Sequence, residues 1–190
     1  MSKARRSSRL VVAAVALAAA LAWPARAAQS PKPAPGPTLV LDTVKGSVEI
    51  ELYPADAPKS VAHVLELVQK KFYQGLRFHR VEASLVQVGD PKSRNMQYRE
   101  WWGREGSGTP VGVAEVSKRL RHFRGTVGLA NTGSPTLSDS QFYIMKVNTG
   151  SSLDGKYTII GHVTKGMDVV DRIEVADILK SMTVKAESAK

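Results

Sequence analysis

The chain has 190 residues, a formal net charge of +10 and no cysteine. Without cysteine there is no disulfide framework, no thiolate nucleophile and no zinc ribbon. The length allows one ordinary folded domain with a real core and excludes two.

The first ten residues carry Lys3, Arg5, Arg6 and Arg9 and no acid, and an uncharged run from Leu10 to Trp23 follows. The run is shorter than the roughly 20 residues that cross a bilayer. Ala25-Arg26-Ala27 then supplies the small residues of a cleavage site. Residues 1–27 are therefore expected to be a signal peptide, and the protein periplasmic or secreted, with no stable membrane insertion after cleavage. Residues 28–37, AQSPKPAPGP, read as a Pro-rich flexible linker. The folded domain is expected over 38–190. Removing the five cations of the signal leaves 22 basic against 17 acidic residues, a surplus of +5. The cluster Lys118, Arg119, Arg121, His122 and Arg124 then reads as a solvated face, with no nucleic-acid partner expected.

Ser47 to Leu52 alternates strictly, Val48, Ile50 and Leu52 against Ser47, Glu49 and Glu51, as a strand with one wet face does. With Thr38 to Thr43 across Val44-Lys45-Gly46 it predicts a hairpin. Asp56 and Pro58 are start signals for a helix whose apolar positions Val61, Val64, Leu65 and Val68 recur at helical spacing. Further strands are expected at Phe78–Val81, Leu85–Val88, Thr126–Ala130, Phe142–Val147, Thr158–Val163 and Met182–Ala186, and a second helix at Met167–Ile173. The fold class is mainly β. A closed eight-stranded antiparallel barrel capped by two α-helices leaves no sheet edge exposed. The polar stretch from Asp90 to Arg124 reads as a long functional loop in which Trp101 and Trp102 form a local packing cluster.

No GxSxG elbow or HExxH motif is present, and His63, His79, His122 and His162 are scattered. Asp139-Ser140 reads as ordinary turn residues rather than part of a triad. In the segments SQFYI and GTVGLAN, alternation places Phe142 and Ile144 opposite Gln141 and Tyr143, and Val127 and Leu129 opposite Gly128 and Ala130. One face is core. The other mixes amide, aromatic and small residues, as a groove for an extended peptide requires.

The ordered series KGSVEIELYPADAPKSV, FYQGLRFHRV, QVGDP, GTVGLAN, SQFYI, LDGKYTIIGHV and KGMDVVDRI resembles the cyclophilin family of peptidyl-prolyl cis/trans isomerases, over nearly the whole chain from Thr38. The resemblance implies rotation of X-Pro bonds in proline-containing polypeptides, with no cofactor and no metal, and the chain is expected to be a monomer. Arg80 matches the family's catalytic arginine. Gln87 and Gln141 match the amides that hold the substrate backbone, and Ala130 and Asn131 the edge that receives the residues before proline. Tyr143, Leu153 and Val86 would line the proline pocket, with Tyr157 beside them. Departures from the family pattern cluster between Val81 and Asp90, one residue short, with Ser84 or Leu85 where a phenylalanine is usual. Tyr143 replaces a phenylalanine, Ser152 a bulky aromatic and Tyr157 a frequent histidine. The leading expectation is an isomerase that assists folding of exported proteins. The alternative is a non-catalytic proline-peptide-binding module or chaperone on the same fold, and a third reading is an unrelated exported β-barrel binding protein.

Overall fold

Alternating burial along residues 38–52 builds the first hairpin. In the computed structural model, which describes residues 36–148 and 152–186, β1 (Thr38–Thr43) pairs antiparallel with β2 (Gly46–Leu52), Leu39 opposite Ile50 and Leu41 opposite Val48, all four buried. The expected signal peptide and the linker up to residue 35 lie outside the described residues. Pro37, placed in the linker by the sequence, already accepts a hydrogen bond from the Leu52 N–H at 2.9 Å.

The remaining strands are β3 (Leu76–Arg77), β4 (Arg80–Val81), β5 (Leu85–Val88), β6 (Thr126–Leu129), β7 (Phe142–Met145), β8 (Ile159–Lys165) and β9 (Ile178–Val184). They form one antiparallel nine-stranded sheet in the order β3-β9-β1-β2-β8-β6-β7-β5-β4. This corrects the closed eight-stranded barrel to a curled sheet whose two edges, β3 and β4, are joined by the chain itself. The single strand expected at Phe78–Val81 cannot form. Residues two apart share a face in a regular strand, yet Phe78 is fully buried in the core while Arg80 is exposed. The backbone therefore breaks between them. The Phe78 N–H bonds the Asp177 carbonyl beside β9 at 3.0 Å, and the His79 N–H bonds the Gln87 carbonyl of β5 at 3.2 Å.

Helix α1 (Pro58–Gln69) buries Val61, Val64, Leu67 and Val68 against the sheet, contacting β9. Its start differs from expectation. Asp56 does not cap it; Ala57 is the N-cap, and the first free N–H groups, on Lys59 and Ser60, donate to the Glu115 carboxylate at 3.0 and 2.8 Å. Asp56 instead pairs with Arg119. Helix α2 (Met167–Asp171) is shorter than the expected Met167–Ile173 and packs on β2.

Between β5 and β6, short 3-10 turns occupy Pro91–Arg94 and Met96–Trp101. The anchor is Asp90, fully buried, whose carboxylate accepts the N–H groups of Lys92 at 2.7 Å, Gly103 at 2.6 Å and Arg104 at 3.0 Å. Gly89 has φ +123°, and a Cβ there would lie 2.3 Å from the Ser140 carbonyl. Only glycine lets the end of β5 approach the start of β7 so closely.

Candidate active site

Cross-strand register sorts the wall made by β5, β7 and β6 into two faces. Val86, Ile144 and Val127 stand in one row and Val88, Phe142 and Leu129 in another, all within the central core. The rows between them point outward and set Gln87 beside Tyr143 beside Gly128. The expected division of SQFYI and GTVGLAN into core and groove faces is what the register produces.

Arg80 of β4 faces Gln87 of β5 across the sheet edge. Its Nε donates to Glu82 at 2.7 Å and its Nη1 to the Gln87 side-chain oxygen at 3.2 Å. Gln87 Nε2 donates to Gln141 Oε1 at 2.8 Å, and Gln141 Nε2 donates to the Glu105 carbonyl at 2.8 Å. A continuous chain of donors and acceptors thus sets the orientation of a guanidinium whose side chain is 49% exposed. Among the described residues nothing accepts a hydrogen bond from its Nη2. The hydrogen bond from Arg80 holds the Glu82 carboxyl below the usual carboxylate range, so the pair stays ionic well into mild acid.

Gln87, Ala130, Asn131 and Gln141 line a cavity of about 280 Å³, together with Gly103–Gly106, Pro110 and Leu137. The other expected pocket residues lie beside it in a separate apolar cluster. Tyr143, Leu85 and Met145 are its buried members, and Ala130, Leu153 and Tyr157 pack against them. The Tyr143 and Tyr157 rings meet edge-on at 5.9 Å. Tyr143 is only 3% exposed. Its ring crosses Gly128, where a Cβ would come within 2.4 Å of the phenol oxygen. The hydroxyl bonds His122 Nε2 at 2.8 Å, and His122 Nδ1 bonds Asp154 Oδ1 at 2.8 Å. Burial pushes the Tyr143 hydroxyl far above its ordinary value, so it remains a neutral hydrogen-bonding group. Burial alone would raise the Asp154 carboxyl, but the hydrogen bonds from the His122 ring and backbone outweigh it and the net shift is downward.

One expectation is corrected. Val86 is fully buried in the central core and does not line a proline pocket; Leu85, one residue earlier, faces the Tyr143 cluster. The period of two places Leu85 with Gln87, so the signal lay in the strand pattern. The roles of Glu82, His122 and Asp154 were not read from the sequence. Glu82 is two positions from Arg80, a same-side spacing that could have flagged it. His122 and Asp154 meet only through long-range packing. Asp139 accepts from Ser107 and Gly108 and contacts His63 Nε2 at 3.3 Å, so the carboxylate sits between serine and histidine and no nucleophile is activated. Four of the five members of the basic cluster, all but Lys118, are paired within the chain: Arg119 to Asp56, Arg121 and His122 to Asp154, and Arg124 to Asp171. Among the described residues no three His, Asp or Glu side chains converge as a metal site.

The sequence profile described as cyclophilin type peptidyl-prolyl cis-trans isomerase/CLD matches residues 38–188. A probable peptidyl-prolyl cis-trans isomerase of Brucella suis is 39% identical over 184 residues, covering 95% of this chain and 90% of its own. The mouse peptidylprolyl isomerase domain and WD repeat-containing protein 1 is 38% identical over 136 residues, 70% of this chain and 20% of that much longer protein. Among solved structures, a cyclophilin-type isomerase of Cryptosporidium parvum superposes with a TM-score of 0.68 at 22% identity, over 80% of this chain and 99% of its own. Cyclophilin AquaCyp293 of Hirschia baltica gives 0.62 at 23% identity, over 80% of this chain and 75% of its own. These two support the fold.

Proposed function

The chain belongs to the cyclophilin-type family of peptidyl-prolyl cis-trans isomerases, and on that premise we propose that Arg80 is its catalytic residue and that its clients are exported polypeptides. The reaction needs no nucleophile. Rotation about an X-Pro bond meets a barrier of about 18–20 kcal/mol set by amide resonance and takes tens to hundreds of seconds unaided. A donor aimed at the prolyl nitrogen as it becomes pyramidal stabilises the twisted bond more than either planar form. Arg80 supplies that donor. The observation that carries the assignment is the orientation of its guanidinium by Glu82 and Gln87, which leaves Nη2 outward. Pre-orientation matters because a group already in place costs nothing to reorganise during the reaction.

Gln87 and Gln141 then hold the substrate backbone, Ala130 and Asn131 receive the residues before proline, and the ring packs at the Tyr143, Leu153 and Tyr157 cluster. The charged N-terminus, short apolar run and Ala25-Arg26-Ala27 support delivery to the periplasm or beyond. Two measurements test the reading. Protease-coupled isomerisation of a short X-Pro peptide should be accelerated by wild type and not by Arg80→Ala. Intact mass of the protein from its native host should show a mature chain starting near Ala28 in the periplasm or medium; recovery of the full chain from the cytoplasm would overturn the export assignment.

A further inference from the structure

Met96, Tyr98 and Trp101, at 46, 49 and 52% exposure, are among the largest apolar side chains the fold leaves on its surface, and all belong to the turn at Met96–Trp101. The two adjacent tryptophans have separate roles. Trp102 packs, its Nε1 donating to the carbonyls of Lys92 at 3.1 Å and Asn95 at 3.2 Å, while Trp101 turns out. The segment is not loose. Asn95 caps it by accepting the Gln97 N–H at 2.9 Å, buried Asp90 holds Gly103 and Arg104, and Gln141 of the groove donates to the Glu105 carbonyl. Rigidly held aromatic surface beside a groove is surface available to a partner.

Arg104 decides which partner. Its guanidinium carbon lies 4.9 Å from the centre of the Trp101 ring, and the same side chain lines the cavity shared with Gln87 and Asn131. Arg104 therefore joins Trp101 to the groove. The charge of this surface is positive on balance, Lys92, Arg99 and Arg104 outnumbering Glu105 and the exposed Glu100 of the same turn. Lys92 lies 5.8 Å from the Trp101 ring and pairs with Glu105, while Arg99 and Arg104 form no ion pair among the described residues.

We propose that Met96, Tyr98 and Trp101, with Arg99 and Arg104, form a shelf that extends the groove and binds aromatic and acidic residues of an unfolded client, on the N-terminal side of the proline being rotated. The direction rests on the assignment of Asn131 to the residues before proline; the shelf itself does not. The occupant is the substrate polypeptide, because the groove assigned to the residues before its proline is lined by Arg104, which also stands over Trp101. An aromatic client side chain stacks on Trp101 and Tyr98, and a carboxylate meets the two arginines.

The test uses three peptides with one X-Pro core: a tetrapeptide, one extended N-terminally by Phe and Asp residues, and one extended by Gly and Ser. Dissociation constants come from fluorescence anisotropy and turnover from exchange spectroscopy. Wild type should bind the Phe/Asp extension about tenfold tighter than the Gly/Ser one, and Trp101→Ala should reduce that preference to about twofold or less. The tetrapeptide does not reach the shelf, so its turnover should be equal in both proteins. An equal preference in wild type and Trp101→Ala, or none in wild type, overturns the proposal. So does a Trp101→Ala variant that loses binding to phosphatidylglycerol vesicles while keeping its peptide preference, which would assign the surface to a membrane. Absence of tetrapeptide turnover in wild type would instead refute the catalytic reading, with the binding ratio still reporting on the shelf.

Discussion

On the inner face of the β5–β7–β6 wall, Val86, Ile144 and Val127 fill one row and Val88, Phe142 and Leu129 the next, while the outer face of the same strands sets Gln87, Tyr143 and Gly128 side by side. The inner residues are interchangeable in kind: each supplies apolar volume to a continuous core. The outer ones are not. Gln87 bridges Arg80 and Gln141, Tyr143 needs the His122 nitrogen, and Gly128 must lack a Cβ for the tyrosine ring to cross it. Adjacent positions along one strand are thus constrained by volume on one side and by specific partners on the other. Substitutions on the inner face should cost stability; on the outer face, those that break the Arg80–Gln87–Gln141 chain should cost chemistry, and those that strand a buried partner such as His122 should cost stability.

The largest expected effect tests the inner face. Phe142→Ala removes a fully buried ring packed edge-on against Tyr73 and should lower unfolding stability by about 3–5 kcal/mol in urea titration. The folded fraction should keep most of its kcat/KM. A comparable loss of activity per folded molecule would break the separation of the faces.

Next comes Arg80, the outer-face counterpart. Arg80→Ala should lower kcat on a short X-Pro peptide by about 10²–10³, the usual cost of one preorganised donor, with thermal unfolding close to wild type because the side chain is half exposed. Arg80→Lys should rescue little: an ammonium lacks the planar fork that contacts Glu82 and Gln87 together. Near-normal kcat in either variant would remove Arg80 from the mechanism.

Tyr143→Phe sharpens the comparison, because it changes one oxygen and no apolar volume. It strands the Nε2 of fully buried His122 and should cost about 1–3 kcal/mol of stability, while leaving turnover near wild type. An unchanged stability would mean that the ring is held by packing alone.

The smallest effect concerns pH. His79 lies under Gly103 with neither ring nitrogen in good hydrogen-bond geometry, and burial lowers its pKa below the ordinary 6.5 against the pull of the nearby Asp90 carboxylate and the Gln141 side chain. Below pH 6.5 the unfolded chain takes up a proton that the folded one resists, so stability is full above that pH and is lost as pH falls towards the folded value. His162, also lowered chiefly by burial, adds to the same slope. His79→Leu should make melting temperature less sensitive between pH 7 and pH 5 in a differential scanning series. An unchanged slope would show that His79 is not the group responsible.

The parts of the molecule legible in the sequence are those governed by neighbours two or four residues away. The first hairpin, α1, and the core and groove faces of β5, β6 and β7 follow from that periodicity, and the ordered motifs located Arg80, Gln87, Gln141 and Asn131 together. β9 was misplaced by several residues for a physical reason. Its buried positions Leu179 and Met182 are three apart, because the register with β1 shifts at Asp42/Thr43 and breaks the period of two. Val86 matches a pocket position by motif, but alternation with Gln87 turns it into the core.

Composition, export-like N-terminus, strand and helix periods and the motif series belong to the sequence by itself, since each depends on residue type and short spacing along the chain. Tertiary structure alone decided that β3 and β4 close the sheet by chain continuity, that Glu115 rather than Asp56 caps α1, that His122 and Asp154 support Tyr143, and that Trp101 and Trp102 part ways. Each depends on contacts that only the folded backbone brings together, such as the hydrogen bonds of Glu115 to the start of α1 and of His122 to Tyr143. Such contacts are set by where the folded backbone places its donors, acceptors and volumes, and no local pattern along the chain records that placement.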